Sequence, residues 1–371
     1  HTGGAVNLTS LRAAIEKWLH RQWQRRGVWA WAMAPLALLF GLILKIRALR
    51  FKKLLYPHDQ INIPILVVGN IYIGGTGKTP VVIALVKQLS ALGWQPGVIS
   101  RGYGTDIGDQ PLLGQGSVDA KQFGDEPALI THETGVPIAV HPNRHQACLD
   151  LITQFPHINL IISDDGLQHL RLPRDIELVV QDARGTGNGW LLPAGPLREP
   201  VSRLSTVHAV LTRIDEAPLN AKKQSALLAV THHSATNLRK TSISLQICRF
   251  RHLLSGQTQE PASFVSFVHT LSVTAVAGIA NPQRFFASLQ KAGIPLAQAL
   301  ALPDHFSFDH SPFASLSADV ILLTGKDAIK CKALIDDRLW VAEVDMTFAD
   351  PEFLPWLNHQ LQAKASRLSP D

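Results

Sequence analysis

One strand–loop–helix segment constrains this chain more than any other. The aliphatic run Ile65-Leu66-Val67-Val68 is followed by Gly69-Asn70-Ile71-Tyr72-Ile73-Gly74-Gly75-Thr76-Gly77-Lys78-Thr79-Pro80. Apolar residues then recur at 81, 82, 85, 86, 89 and 92, the spacing of an amphipathic helix over Val81–Leu92. Glycines let a backbone wrap an anion so that its N–H groups and the helix N-terminus point at a phosphate. Gly74, Gly75, Thr76, Gly77, Lys78 and Thr79 are therefore expected to hold ATP. Lys78 would reach its β- and γ-phosphates, and the Thr79 hydroxyl would ligate Mg²⁺. The strict GxxxxGK[ST] spacing asks for glycine at position 72, where this chain has Tyr72.

A phosphate loop needs a carboxylate for its metal at the end of a neighbouring apolar strand. Leu160-Ile161-Ile162-Ser163-Asp164-Asp165 supplies one. Asp164 is expected to hold Mg²⁺ directly or through water, with Asp165 beside it or facing the substrate. Three further clusters are unusual for plain structure. Gly124-Asp125-Glu126-Pro127 reads as a turn carrying a carboxylate. Pro193-Ala194-Gly195-Pro196-Leu197-Arg198-Glu199-Pro200 reads as a stiff loop presenting Arg198 and Glu199. Pro303-Asp304-His305-Phe306 puts a histidine in a loop of the C-terminal part. Transfer of a phosphoryl group to a hydroxyl needs a positioned base, and Asp or His can serve.

Around these motifs, short aliphatic runs alternate with helical periodicity, as in a mainly parallel α/β sheet. Strands are expected at Ile65–Val68, Gly97–Ser100, Leu160–Ser163, Ile176–Val180 and His208–Thr212. The polar stretch from Asp215 to about Thr241 reads as a boundary. Beyond it strands are expected at Val273–Ala277, Val320–Thr324 and Leu339–Val344, with a helix from about Pro282 to Ala292. The expected fold is thus a P-loop NTPase-like, mainly parallel sheet domain over 55–235, and a smaller α/β domain over 236–371. An N-terminal membrane-associated helical segment over 1–54 completes it. The chain opens at His1 rather than methionine, which reads as a trimmed or altered start.

Residues 1–60 hold ten Lys/Arg against Glu16 and Asp59, a local charge of +8. The whole chain carries +6, so the remainder carries −2. A basic end on a near-neutral body points to an anionic partner. That end brackets Val28–Leu44, 17 consecutive uncharged residues containing Trp29, Trp31 and Pro35. Seventeen is at the short limit for crossing a bilayer. Tryptophans at one end and Lys/Arg on both flanks suit a helix seated in a membrane interface. No nucleic-acid partner is expected, since no basic patch is interleaved with aromatics. The three cysteines are isolated, which excludes a disulfide framework and a cysteine-built zinc site.

Taken together, these segments resemble the tetraacyldisaccharide 4'-kinase family of lipid A synthesis. The matching stretches are Val68-Gly69-Asn70 with Gly74–Pro80, Ser100-Arg101-Gly102-Tyr103-Gly104, Gly124–Pro127, Asp164-Asp165-Gly166-Leu167-Gln168-His169 and Gly187-Asn188-Gly189. The Leu192–Pro200 loop, Asp304-His305 and Lys326-Asp327 continue the series, with Gly325 where the family has glutamate. The resemblance implies transfer of the ATP γ-phosphate to the 4'-hydroxyl of an anionic acylated disaccharide lipid, tetraacyldisaccharide 1-phosphate. It implies two α/β domains with ATP between them, and a catalytic group of Lys78, Asp165 and a base formed by Asp125 with His305. Asp164 and Thr79 would then hold the metal, and His169, Arg198 and Glu199 would face the substrate. The expected setting is the phospholipid surface of the bacterial inner membrane, on its cytoplasmic face, for a peripheral or monotopic monomer. A membrane-attached ParA/MinD-like regulatory ATPase is the alternative, but its signature-lysine position is Ile73 here. A kinase of a soluble metabolite leaves the Val28–Leu44 run unexplained.

Overall fold

The computed structural model describes residue 15 and residues 18–53, 61–102, 105, 107–214, 238–331 and 333–368. Tyr103, Gly104 and the expected boundary from Asp215 to residue 237 lie outside the described residues, as do residues 1–14 and 54–60.

The helices are α1 Val28–Lys53, α2 Lys78–Ala91, α3 Ala120–Phe123, α4 Asp125–Thr134, α5 Arg144–Gln154, α6 Pro261–Val268, α7 Pro282–Lys291, α8 Gly325–Ala328 and α9 Phe353–Leu368. The strands are β1 Ile65–Gly69, β2 Pro96–Ser100, β3 Leu112–Gln115, β4 Pro137–Val140, β5 Leu160–Asp164, β6 Ile176–Gln181 and β7 Ala209–Arg213. They continue as β8 Arg239–His252, β9 Thr258–Gln259, β10 Val273–Ala277, β11 Leu296–Ala301, β12 Val320–Thr324 and β13 Leu339–Phe348. They form one sheet in the order β11-β10-β12-β13-β8-β7-β6-β1-β5-β2-β4-β3, with β9 on β8. Most pairings are parallel. The exceptions are β8 with β13, β8 with β9, and β3 with β4.

β1 lies between β5 and β6, with Val68 beside Asp164. Its run is continuous rather than alternating because helices cover both faces of a parallel sheet. Leu66 and Val68 pack under α2 and α9, through Val82, Leu85, Leu89 and Leu357. Ile65 and Val67 face α5 and the following loops, through Cys148, Leu151, Leu167 and Leu197. The second half builds two further cores on either face of β10 and β12. The link between halves is the long antiparallel pair β8–β13, whose register shifts at Glu343/Val344.

Several expectations are refined. The helix after the phosphate loop begins at Lys78, ahead of Val81. Asp125 is not in a turn: it opens α4, with Gly124 as N-cap. Pro127 does not interrupt it, because proline is tolerated in a first helical turn. The apolar N-terminal run extends to a helix of 26 residues through Pro35. It is not a core helix, since Leu36, Leu38, Leu39, Leu42 and Ile43 are all more than half exposed. Its fully buried residues are small, Ala30 and Ala37, Gly41 faces Leu191, and Trp29, Met33, Phe40 and Leu44 are half-buried.

Candidate active site

The nucleotide loop leaves β1 and is pinned before it curls. Ile73 N donates to Pro196 O at 2.9 Å, Arg198 N donates to Ile71 O at 2.7 Å, and Tyr72 bridges Leu197. Residue 72 is therefore extended and buried, so no glycine is needed there. Gly77 does need to be glycine. Its φ is 79°, and a Cβ there would lie 2.1 Å from Arg213 Nη1. Thr76 is buried, its hydroxyl accepting from Asn70 Nδ2 at 3.0 Å.

Lys78, Asp165 and Arg198 form one ion cluster. Lys78 Nζ and Arg198 Nη2 each lie 3.2 Å from Asp165 Oδ1. Burial pushes the Asp165 carboxyl up, but the two cations outweigh it and hold it well below the usual range. Asp165 takes a left-handed backbone, φ 49°, a conformation that carries strain for a non-glycine residue and is retained where surroundings over-determine it. Asp164, one residue earlier, sits wholly inside, and its Oδ1 finds no hydrogen-bond partner. Burial, then Glu126, push its carboxyl up against the pull of Lys78. A buried carboxylate oxygen without a donor, on the strand beside β1 from which the loop departs, fits a divalent cation. Among the described residues no group of three His, Cys, Asp or Glu could form a closed cage. Mg²⁺ takes one or two protein ligands and fills its shell with phosphate oxygens and water.

Of the three residues expected to face the substrate, Arg198 belongs to this cluster. Glu199 is held by Gln168 Nε2 at 2.6 Å and Arg203 Nε at 3.1 Å, so it supports Gln168 rather than joining Asp165. His169 is depressed to about 4 by burial and by Arg144 and Arg101. It is neutral near pH 7 and set among cations.

The structure brings together the two residues expected to form the base. His305 Nδ1 lies 2.9 Å from Asp125 Oδ2. His305 has φ 59° and its N–H donates to Gly278 O. Two lysines from the second half join them. Lys330 Nζ donates to Asp125 Oδ2 at 3.2 Å, and Lys326 Nζ is 3.5 Å from His305 Nε2. Burial raises the Asp125 carboxyl, but His305 and then Lys330 outweigh it, and the net direction is down. A cleft of about 1120 Å³ runs between the two halves, from Gly75–Thr79 and Glu126 to Asn281, Arg284 and Lys326. It is large enough for a nucleotide.

Sequence reasoning missed Arg144, Arg184, Arg213 and Lys330. Arg144 Nη2 donates to Asp164 O at 2.9 Å from a nearly sealed position. A signal was present: Arg144 begins α5, where the helix dipole disfavours a cation. Lys330 had a weaker one, its i,i+3 spacing from Asp327. At the departure from the family pattern, Gly325 opens α8, and a Cβ there would meet Leu129 Cδ1 at 3.3 Å.

Residues 29–362 match the model of the tetraacyldisaccharide-1-P 4'-kinase family. The tetraacyldisaccharide 4'-kinase of Bordetella parapertussis is 46% identical over 350 residues, covering 94% of this chain and 98% of that protein. That of Herminiimonas arsenicoxydans is 42% identical, covering 91% and 95%. The crystal structure of LpxK from Aquifex aeolicus in complex with ATP superposes with a TM-score of 0.72 at 21% identity, over 90% of this chain and 99% of that one.

Proposed function

The chain belongs to the tetraacyldisaccharide 4'-kinase family, and we propose that it works as that kinase through the cleft between its halves. It transfers the γ-phosphate of ATP to the 4'-hydroxyl of tetraacyldisaccharide 1-phosphate in lipid A synthesis. The observation that carries the reading is one cleft lined by Gly75–Thr79 with Lys78 and by Glu126 and Lys326, which adjoin the Asp125–His305 pair held at 2.9 Å. A regulatory ATPase has no need of a second-half base facing its nucleotide loop.

In the proposed division of labour, Gly74–Thr79 hold the triphosphate by main-chain N–H groups and the N-terminus of α2. Lys78 neutralises charge on the transferring group. Thr79 and Asp164 would hold Mg²⁺, which supplies charge compensation at the phosphate oxygens. Asp165 orients Lys78 and Arg198. Asp125 takes the hydroxyl proton: His305 and Lys330 occupy its Oδ2, which leaves Oδ1 for the incoming hydroxyl. Its lowered pKa suits a loose transition state, in which the base orients the nucleophile more than it pulls the proton. His169, Arg198 and Glu199 face the sugar-phosphate. We assign nucleotide loading to the half before about residue 235, and His305 with its lysines to the half after it.

The enzyme works at a membrane. We place α1 on the cytoplasmic face of the inner membrane, lying along phospholipid, with the kinase a monomer. Incubation with radiolabelled ATP and tetraacyldisaccharide 1-phosphate tests the activity, with a doubly phosphorylated lipid as the expected product. ATP hydrolysis that proceeds at full rate without lipid would point to the ATPase alternative instead.

A further inference from the structure

Tyr72, the residue that breaks the expected glycine spacing, sits beneath a second departure from an ordinary phosphate loop. Arg184, from the loop after β6, lies over its ring, with Cζ 4.4 Å from the ring centroid. The same guanidinium donates from Nη2 to the main-chain oxygen of Gly75 at 3.0 Å. Its edge is held by Asp182, with Nε at 3.0 Å and Nη2 at 2.7 Å from the carboxylate. Asp182 is buried at the end of β6, and burial raises its carboxyl, but Arg184 and then Arg284 outweigh that and hold it ionised. Arg284 of α7 approaches the same carboxylate to 3.7 Å from across the cleft.

We propose that Arg184 is a positioning residue for ATP, fixing the nucleotide loop from behind by capturing the Gly75 carbonyl, and that Tyr72 is the platform that seats it.

A phosphate loop works only if successive N–H groups converge on the anion, which turns the carbonyls outward. An outward carbonyl left to water can flip, and glycines make the flip easy. A guanidinium bonded to that carbonyl opposes it, because hydrogen bonds to charged groups are stronger than neutral ones. Lysine could not replace it. Only a planar guanidinium can lie on a ring, chelate a carboxylate and donate to a carbonyl together. Position 72 can host the ring because its backbone is already extended against Leu197. The tyrosine hydroxyl is spent elsewhere, accepting from Gln24 Nε2 at 3.4 Å, so the ring and not the hydroxyl carries the role.

The inference rests on the reading of Gly74–Thr79 as the ATP loop. The test is titration of full-length protein in detergent micelles with ATP and Mg²⁺, beside steady-state kinetics on both substrates. Wild-type protein that bound no ATP would sink the loop reading itself and leave Arg184 without this role. With wild type binding, Arg184→Ala should weaken ATP affinity and raise the KM for ATP by about tenfold or more, with the lipid KM unchanged. Tyr72→Leu should reproduce that loss, and Tyr72→Phe should stay near wild type. Should Arg184→Ala fail to fold, Arg184→Lys carries the test, with the same ATP-selective loss. Wild-type ATP affinity in a folded Arg184→Ala or Arg184→Lys protein overturns the proposal. So do equal rises in both KM values, the mark of general loosening, or full ATP affinity in Tyr72→Leu.

Discussion

Asp164 ends β5 with one carboxylate oxygen sealed from water and without a donor. That arrangement disfavours the charged form until a cation arrives. Its folded pKa is raised, so the stability it lends is full below the ordinary carboxylate range and is lost as pH rises through the raised value. Asparagine has the shape of the neutral acid. We therefore expect Asp164→Asn to melt at or above the wild-type temperature near pH 7 while losing about a hundredfold in turnover. The melting rise that ATP with Mg²⁺ gives wild type should shrink with it. Wild-type turnover at limiting Mg²⁺ would move the metal role elsewhere. Lys330 is read through pH. It holds Asp125 ionised, so in Lys330→Met the Asp125 pKa should climb and the acidic limb of kcat/KM should shift to higher pH. An unmoved limb with reduced kcat would reduce Lys330 to packing.

At the scale of elements, α1 shows where sequence and structure part. Seventeen uncharged residues suggested a helix too short to span. The helix has 26 residues, about 39 Å at 1.5 Å per residue, longer than the roughly 30 Å hydrocarbon core. Length therefore does not decide, and the proposal that α1 lies along the surface draws on its contacts. Trp31 packs edge-on against Trp190, and sixteen residues later Arg47 donates to Gln168 O. About 24 Å of helix thus runs along the protein, which leaves the exposed leucines facing outward on one side. Cysteines introduced at Gly27 and at Ala48 should both resist a periplasmic thiol reagent in whole cells. Labelling of either one would mean a spanning helix. Strands that were pure aliphatic runs were readable to within a residue, such as Val273–Ala277 and Val320–Thr324. Three were not. Leu296–Ala301 is an exposed edge rich in alanine and leucine, a helix-forming composition. Pro137–Val140 is only four residues long and opens on proline. Arg239–His252 is charged and half exposed, although it lies inside the sheet where the two halves join.

For the molecule as a whole, the decisive feature is that Asp125 and His305, the pair proposed as the base, come from different halves of the chain. Asp125 opens α4 beside the nucleotide loop, while His305 stands on a turn after β11. The motifs named both residues, but their 2.9 Å contact depends on the β8–β13 strap folding one half onto the other, which no local pattern encodes. His305 is also the more exposed partner, 40% against 14%, so it can leave without unpacking a core. If the pair acts as one unit, removing either member should forfeit most of what removing both does. Asp125→Ala, His305→Ala and the double variant should then lose similar factors in kcat, since residues of one relay are far from additive. Lys78 gives the contrast. It serves the phosphate rather than the hydroxyl, so Lys78→Ala should abolish turnover in a protein that stays folded. Losses at Asp125 and His305 that simply multiply would separate the two residues. Asp125 would then act alone on α4, and closure of the cleft would matter to ATP and not to the base.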